Sequence, residues 1–403
     1  MKPMLGWTML SREEMRQVER SLADSDQDTR DEIGFLLIHQ GFADRFFPGT
    51  SVLHTRIRYA LFVPWLYQRA AFDGRRGSDL DARIRLLLVE LAIRLKQLGG
   101  EPQDVIGGDK LGQLTSQPPD RAYWSALRVW GLLLPAVDSR SEALRRLQAA
   151  ARPSALDDNG GRLDDEATEV FAGLPQRPKG WDNPQTPLHF KMPHHEREFL
   201  RGKLLLLTRP IDNAPSLLAQ LVKAGDSFQD NSTQLPNELD TRADAADKLA
   251  LSVARDAAAL AAIGRAVYGA LVEQLLARDG GPDNRMFREQ LHTHFAQYGE
   301  AASNCDLDVA EKLLPGLPSH VKTVLHETQA YVRSERPEDF TSLHGCYQTA
   351  EVRRKSSRRA RLLDTEHASQ RRAEWDPQRH KTPPLHYRWK VVRKMLADLS
   401  PSQ

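Results

Sequence analysis

The sequence of this 403-residue chain predicts an all-α protein, or an α protein with a minor sheet. Apolar residues recur at helical spacing over long stretches, and the alternation typical of strands is almost absent. No repeat of fixed period is visible, which argues against a regular solenoid. Hydrophobic residues make up 40% of the chain and charged residues 27%, so the composition is that of a globular protein with a sizeable core.

The first two helices are predicted from a cap and from apolar spacing. Ser11, with Glu14 three residues later, has the form of a capping box at a helix N-terminus. Leu36, Leu37 and Phe42 have the spacing of a second helix. We expect this helix to end near the Pro-Gly turn at residues 48–49.

The third predicted helix follows that turn. Thr50 or Ser51 can serve as its N-cap, and Arg56 and Tyr59 would share one face because they are three residues apart. Pro64 is expected to kink or end this helix, since proline lacks the amide donor.

Three further helices are predicted from longer patterns. One covers Leu80–Leu98, and a shorter one includes Trp124 to Trp130. The strongest helical pattern is Arg242–Arg278, which is very rich in Ala and Leu. Within it, Gly264 and Gly269 would allow another element to approach the backbone closely.

Composition along the chain suggests four ranges. We predict an N-terminal helical domain at residues 1–137 and a second helical region at residues 191–350. Residues 138–190 are interrupted by several prolines and glycines and are interpreted as a connector that contains a short helix. Residues 351–403 form a basic C-terminal segment.

The net charge of the whole chain is only +2, but its C-terminal segment is strongly basic. Residues 351–395 hold 14 Lys/Arg against 5 Asp/Glu, so this end is a candidate for binding nucleic acid or another polyanion. A solvated charged helix is the alternative interpretation. The candidate DNA contacts in this segment are Arg353, Arg354, Lys355, Arg358, Arg359 and Arg361. A second group of candidates is Tyr387, Arg388 and Trp389. This second group either stacks on a base or folds back on the core.

Several classes of site are not predicted. The sequence has no Walker loop, dinucleotide fingerprint, GxSxG elbow or HExxH helix, and its histidine pairs lack the spacing of a zinc site. We therefore expect no metal and no cofactor. Two cysteines, no secretory signal and no long apolar run predict a cytoplasmic protein that does not bind a membrane.

The segment that begins at Phe46 is the first candidate for a functional site. A Pro-Gly turn is followed at once by Arg56 and Arg58 in an apolar neighbourhood, with Asp44 just upstream. A guanidinium group in such a place needs an anion as partner. Asp44 could pair with either arginine to join helices, or the three groups could line a working cavity.

Motifs spread along the chain resemble those of a bacterial family whose function was long unknown. The matching motifs are Trp7-x-x-x-Ser11, Phe47-Pro48-Gly49-Thr50-Ser51 with Thr55-Arg56-x-Arg58-Tyr59, Val105-Ile106-Gly107, Tyr123-Trp124-x-x-Leu127-x-x-Trp130-Gly131 and Tyr387-Arg388-Trp389. Gly108 stands where the family usually has an arginine, so an anion contact there is in doubt.

The resemblance implies an activity. Members of the family resemble anti-phage DNA glycosylases that excise glucosylated hydroxymethylcytosine from T-even phage DNA and leave abasic sites. Such an enzyme flips the base out of the duplex and needs a carboxylate, but no metal. Asp44 is the first candidate for this carboxylate and Glu32 the second. The base pocket would draw on Thr50, Ser51, His54, Arg56, Arg58, Tyr59, Trp65 and Trp124.

Two other functions fit the same sequence. The first is a non-enzymatic DNA-binding subunit that acts with other phage-defence proteins and performs no chemistry on DNA. The second is a helical scaffold whose basic end binds an acidic protein. The aromatic residues of the proposed pocket are more often core residues, and the sequence alone does not separate these possibilities.

Overall fold

The computed structural model describes residues 31–74, 79–98, 103–151, 169–225, 228 and 232–400. Within these ranges the chain is helical, and its extended pairing is limited to two isolated antiparallel bridges, Leu133 with Phe171 and Thr208 with Pro215. The all-α prediction is confirmed. The helices are α1 (Phe35–Phe46), α2 (Tyr59–Gly74), α3 (Leu80–Lys96), α4 (Pro119–Ala122), α5 (Trp124–Val129), α6 (Arg140–Ala151), α7 (His194–Leu204), α8 (Leu217–Ala224), α9 (Ala245–Arg278), α10 (Met286–Asn304), α11 (Leu307–Leu313), α12 (Ser319–Arg333), α13 (His344–Lys355), α14 (Glu366–Ala373) and α15 (Trp389–Leu399).

The chain divides into two compact units. The first unit contains Met1–Phe42, Gln234–Asp240 and Asp244–Tyr387, and the second contains Ala43–Thr233, Thr241–Ala243 and Arg388–Gln403. This division differs from the four predicted ranges because residues far apart in the sequence pack together. Compositional shifts along a chain carry no information about such long-range packing.

The first unit is built on α9. This 34-residue helix packs against α10, α11 and α12, and α13 packs on α12. Asp244 caps α9, because its side chain accepts a hydrogen bond from the amide of Asp247. By length and composition α9 could cross a membrane, but 83% of its most apolar window is buried.

Two glycines of α9 permit close packing. A Cβ at Gly264 would overlap the ring of Phe35, and one at Gly269 would overlap the ring of Phe287. The buried carboxylate of Glu273 accepts hydrogen bonds from the amide of Phe287 at 3.0 Å and so holds the start of α10 against α9. The predicted role of both glycines in close approach is confirmed.

The second unit contains helices α2 to α8 and α15. Helix α2 packs against α3 and α6, while α15 packs against α7 and α8. Residues 169–193 contain no helix, yet Trp181 and Phe190 from this stretch are buried. The predicted connector therefore contributes side chains to the core of its unit.

The predicted helix boundaries hold in part. The helices predicted from Leu36, Leu80 and Trp124 and over Arg242–Arg278 are present, whereas the capping box at Ser11 lies outside the described residues. The predicted start of the third helix is wrong, and of the two expectations for Pro64, that it ends the helix is wrong. The helix begins at Tyr59 and not after Ser51, and it continues through Pro64 to Gly74.

We predict that Gly264→Ala and Gly269→Ala each lower the free energy of unfolding by about 1–3 kcal/mol, because the added methyl group overpacks an aromatic contact. Gly299→Ala is the matched control. Gly299 lies within α10 and a Cβ there would meet no atom within 4 Å, so alanine should stabilise by about 0.5–1 kcal/mol. Urea denaturation of the three variants measures these changes, and equal effects at all three positions would contradict the packing account.

Candidate functional site

The Pro-Gly turn of the predicted site is fixed by packing. Gly49 has φ +77°, and a Cβ there would lie 2.6 Å from Nε1 of Trp130. The indole N–H of Trp130 donates to the carbonyl of Pro48 at 3.0 Å. The hydroxyl of Thr50 donates to the carbonyl of Phe47 at 2.7 Å. These contacts hold the turn in place and explain its sequence without a bound ligand.

The three charged residues of the predicted cluster have separate partners. Asp44 is exposed and accepts a hydrogen bond from Arg388 at 2.6 Å. The expectation that Asp44 pairs with Arg56 or Arg58 is wrong, because each of those arginines binds other carboxylates. All these contacts lie within the second unit.

Arg58 forms one buried ion pair and also donates hydrogen bonds to two backbone carbonyls. Its guanidinium donates to both carboxylate oxygens of Glu196, at 2.7 and 2.6 Å, and also to the carbonyls of His189 and Lys191. The side chains of Arg58 and Glu196 are only 2% and 0% exposed. A buried pair with this geometry stabilises the fold only while both partners are present.

Arg56 joins two other carboxylates. It donates to Asp398 at 2.9 Å and to Asp104 at 2.9 Å, and it lies over the ring of Phe190. Burial alone would lower the pKa of Arg56, but its hydrogen bonds to Asp398 and Asp104 raise that pKa above the ordinary value. Burial raises the pKa of Asp398, although Arg56 opposes this shift.

The aromatic residues proposed to hold a base lie in the core of the second unit. Tyr59 and Trp65 are 0% exposed. The hydroxyl of Tyr59 accepts from the amide of Ile106 at 3.0 Å, and the indole of Trp65 donates to the carbonyl of Pro175 at 3.1 Å. Trp124 is half-buried beside the ring of Tyr67. Neither face of Tyr59 or Trp65 is accessible to a base in this conformation.

His54 is a buried neutral histidine. Its Nδ1 accepts from the amide of Ser51 at 3.2 Å, so Nε2 carries the proton and donates to the carbonyl of Ala122 at 2.9 Å. Its ring stacks on Tyr123 with centroids 4.1 Å apart. Burial lowers the pKa of His54 to about 3, only partly opposed by the hydrogen bond to Ala122.

Glu32, the second candidate carboxylate, lies beside a cavity in the first unit. Its carboxylate contacts Lys355 and accepts from Arg361 at 3.2 Å, and Nδ1 of His380 is 3.9 Å away. Glu32 is 6% exposed, so the two cations compensate its negative charge in a poorly solvated place.

Four aromatic side chains form part of the walls of this cavity, which we call the Glu32 cavity. Its volume is about 20 Å³, which is enough for about one water molecule. Trp375 stacks on Phe287 and contacts His380, with centroids 5.4 and 5.2 Å apart. The cavity is lined by Asp31, Glu32, Ile33, Phe35, Leu36, Arg265, Tyr268, Gly269, Phe287, Trp375, His380, Lys381, Thr382 and Leu385.

One wall donor of the Glu32 cavity has no partner. Trp375 is 6% exposed, and its buried indole N–H has no hydrogen-bond acceptor among the described residues. Buried indole N–H groups usually find an acceptor. The indole N–H groups of Trp124, Trp181 and Trp389 likewise have no acceptor among the described residues.

A second buried carboxylate supports Lys355. Glu351 is 0% exposed and contacts Lys355 at 3.2 Å. It also accepts from the hydroxyl of Tyr268 at 2.6 Å and from the amides of Arg361 and Leu362 at 2.9 Å. Burial raises the pKa of Glu351, although the hydrogen bond from Tyr268 opposes this shift. Lys355 is thus held between two glutamates.

The predicted DNA-binding arginines fall into two groups. Arg353, Arg358 and Arg359 are exposed, at and just after the C-terminal end of α13. Arg354 instead binds Asp31 at 2.9 Å. With Lys355 and Arg361 also bound to carboxylates, half of the six predicted contacts have an internal role.

The aromatic residues of the Tyr-Arg-Trp motif fold into the core. Tyr387 is 1% exposed and donates to the carbonyl of Ala254 at 2.7 Å, within the first unit. Trp389 is 0% exposed and contacts Phe47, within the second unit. Tyr387 and Arg388 both have positive φ, +47° and +64°, a conformation that side chains other than glycine seldom adopt. Of the two alternatives for these rings, the structure has the folded-back one.

No metal site is formed in the part of the chain that the structure describes. No group of three His, Cys, Asp or Glu side chains there is placed to hold a metal ion. Burial raises the pKa of the Cys346 thiol to about 11 and that of Cys305 to about 12. Both thiols are therefore protonated at neutral pH and are poor nucleophiles.

Residues 2–279 match a protein family described as a family of unknown function (DUF6361). This match covers more than half of the chain, so the protein belongs to that family. It includes Glu32 and Tyr268 but ends before Lys355 and Trp375. Comparison with the curated proteins and with the solved structures found no match.

Buried His54 predicts an acid-sensitive fold. In the unfolded chain its pKa is near 6.5, whereas in the folded protein burial lowers it to about 3. Between these values the unfolded chain binds a proton that the folded protein does not, so the free energy of unfolding falls as the pH drops from about 6.5 toward 3. The slope from this group is at most about 1.4 kcal/mol per pH unit.

Urea denaturation of the wild type and of His54→Gln between pH 7 and pH 4 measures this contribution. We expect the variant to have the smaller pH dependence. The exposed His292→Gln is the control and should keep the wild-type slope. Identical slopes for the wild type and His54→Gln would contradict a buried neutral His54.

Proposed function

We propose that this member of a family of unknown function is an anti-phage DNA N-glycosylase that removes α-glucosylated hydroxymethylcytosine from phage DNA and leaves abasic sites. The resemblance in sequence motifs suggests the reaction. The observation that carries the assignment of a site is Glu32, a carboxylate held by two cations beside an aromatic-walled cavity.

Glu32 suits the chemistry of N-glycosidic bond cleavage. The departing base leaves a sugar with oxocarbenium character, and a nearby carboxylate can stabilise this cation or activate water. Lys355 and Arg361 fix the carboxylate of Glu32 and can also contact an adjacent phosphate. Asp44 is less suited, because it is exposed to solvent and is paired with Arg388.

The walls of the cavity suit a flipped base. Trp375 and Phe287 both line the cavity and offer aromatic surface for stacking of a base. The present volume of about 20 Å³ is too small for a nucleotide, so a wall must move on binding. The best candidate for the wall that moves is the segment from Trp375 to Leu385, because it contains only a short 3₁₀ turn. It contributes Trp375, His380, Lys381, Thr382 and Leu385 to the cavity.

The exposed arginines of the same unit suit contacts with the DNA backbone. Arg353, Arg358 and Arg359 flank Lys355 in sequence, and Lys355 contacts Glu32. Phosphate contacts of this kind position DNA without reading its sequence.

A second function is a non-enzymatic DNA-binding subunit that acts with other phage-defence proteins. The small volume of the Glu32 cavity favours this alternative, because no base fits without rearrangement. It retains the exposed arginines as the DNA surface and requires no chemistry from Glu32.

Excision can be measured by incubating the purified protein with T-even phage DNA and counting alkali-labile sites, with unmodified DNA as the control. We expect cleavage of the glucosylated DNA only. Glu32→Gln should reduce the excision rate by about 10²–10⁴-fold, because it removes the carboxylate charge while keeping the size of the side chain. Asp44→Asn is the matched control and should retain most of the activity.

Thermal unfolding and DNA binding of both variants separate catalysis from folding. Loss of excision in Glu32→Gln with normal folding and binding supports the proposal. Intact glucosylated DNA under conditions where the wild type binds it would favour the second function. Full activity of Glu32→Gln together with loss in Asp44→Asn would move the site to the second unit.

A further inference from the structure

A primary amine lies against the candidate catalytic carboxylate. Nζ of Lys355 contacts Glu32, which lines the cavity, and lies 5.5 Å from the centroid of the Tyr268 ring, which forms part of the wall. Glu351 holds the amine from the other side. This places one partly buried lysine beside Glu32, where the sugar of an extruded nucleotide would lie.

We propose that Lys355 forms a Schiff base with the abasic sugar that base removal leaves, and that the protein then cleaves the DNA strand as a lyase. This inference rests on the proposed glycosylase function and extends it to a second reaction at the same site. The geometry points to it because an amine nucleophile and a carboxylate acid–base group are in direct contact.

In the first step, Glu32 accepts a proton from Lys355 and later returns it. The ammonium of Lys355 gives a proton to the carboxylate of Glu32, and the neutral amine attacks C1′ of the ring-opened sugar aldehyde. A bond forms between Nζ and C1′, and a proton passes from Nζ to the aldehyde oxygen, which becomes a hydroxyl group. Glu32 returns its proton to this hydroxyl, water leaves, and a C1′ iminium ion remains.

The second step uses the same carboxylate as a base. Glu32 takes a proton from C2′, which the neighbouring iminium group makes acidic. The electron pair forms the C2′–C3′ double bond, and the C3′–O bond breaks, so that the 3′-phosphate leaves with the downstream strand. Water then hydrolyses the iminium ion and releases Lys355. No oxidant, reductant or metal ion takes part in this sequence.

The environment of Lys355 fits a reactive amine that is held in place. Its side chain is 15% exposed, and contacts with Glu32 and Glu351 hold the amine beside a carboxylate that lines the cavity. Lys355 reaches the cavity through its contact with Glu32, whereas Lys381 lines the cavity itself and is exposed, so Lys381 is the alternative nucleophile that an experiment must distinguish.

Borohydride trapping tests the proposal without requiring base removal. The full-length protein is mixed with a duplex oligonucleotide that already contains an abasic site, and sodium borohydride reduces any iminium ion to a stable secondary amine. We expect a covalent protein–DNA adduct, and peptide mass spectrometry should locate the bond at Lys355. Lys355→Arg should abolish the adduct, because a guanidinium group keeps the positive charge toward Glu32 and Glu351 but does not form the imine.

Lys248→Arg is the matched control, since Lys248 is an exposed lysine on α9, and it should give the wild-type amount of adduct. Thermal unfolding checks that Lys355→Arg is folded. The proposal is overturned if the wild type gives no adduct, if the bond maps to Lys381 or another lysine, or if Lys355→Arg traps as well as the wild type. Base release from glucosylated DNA is measured separately. Normal base release without an adduct would overturn the lyase step and leave the glycosylase function standing.

Discussion

A charged side chain in a protein interior needs a partner, and this requirement separates the candidate sites in this chain. Arg58 is enclosed by Glu196 and two carbonyls, and Arg56 is bound by Asp398 and Asp104. Both guanidinium groups therefore have structural partners within the second unit. The ion pairs of Glu32 differ, because a cavity with aromatic walls lies beside them. A carboxylate that is held by cations and still borders a cavity is available for chemistry.

The packing of α9 connects the fold to this cavity. Because Gly264 and Gly269 have no side chain, the rings of Phe35 and Phe287 approach the helix backbone, and both rings line the Glu32 cavity. Tyr268 lies between these glycines in sequence and binds Glu351, which in turn holds Lys355. The residues that pack the first unit are therefore also those that place Glu351, Lys355 and the rings of Phe35 and Phe287.

The sequence predicts the fold class better than the site, for a physical reason. Apolar spacing over Leu80–Leu98 and Arg242–Arg278 is a local signal, and both helices are present. The pairing of Glu32 with Lys355 joins residues more than 300 positions apart and has no local signature. Lys355 could be identified only as part of a basic run, and Trp375 had no motif at all. The sequence does show that Glu351 lies four residues before Lys355, a spacing at which the two can pair on a helix. It does not show that Glu351 is buried, because burial follows from tertiary packing.

The most direct test of this account is a crystal structure of the Glu32→Gln variant bound to duplex DNA that contains glucosylated hydroxymethylcytosine. The account predicts that the modified nucleotide is extruded into the Glu32 cavity, with Trp375 at its base, the substituted side chain at position 32 near its sugar and the segment from Trp375 to Leu385 displaced. A nucleotide bound beside Asp44, or a modified base that remains stacked in the duplex, would contradict it.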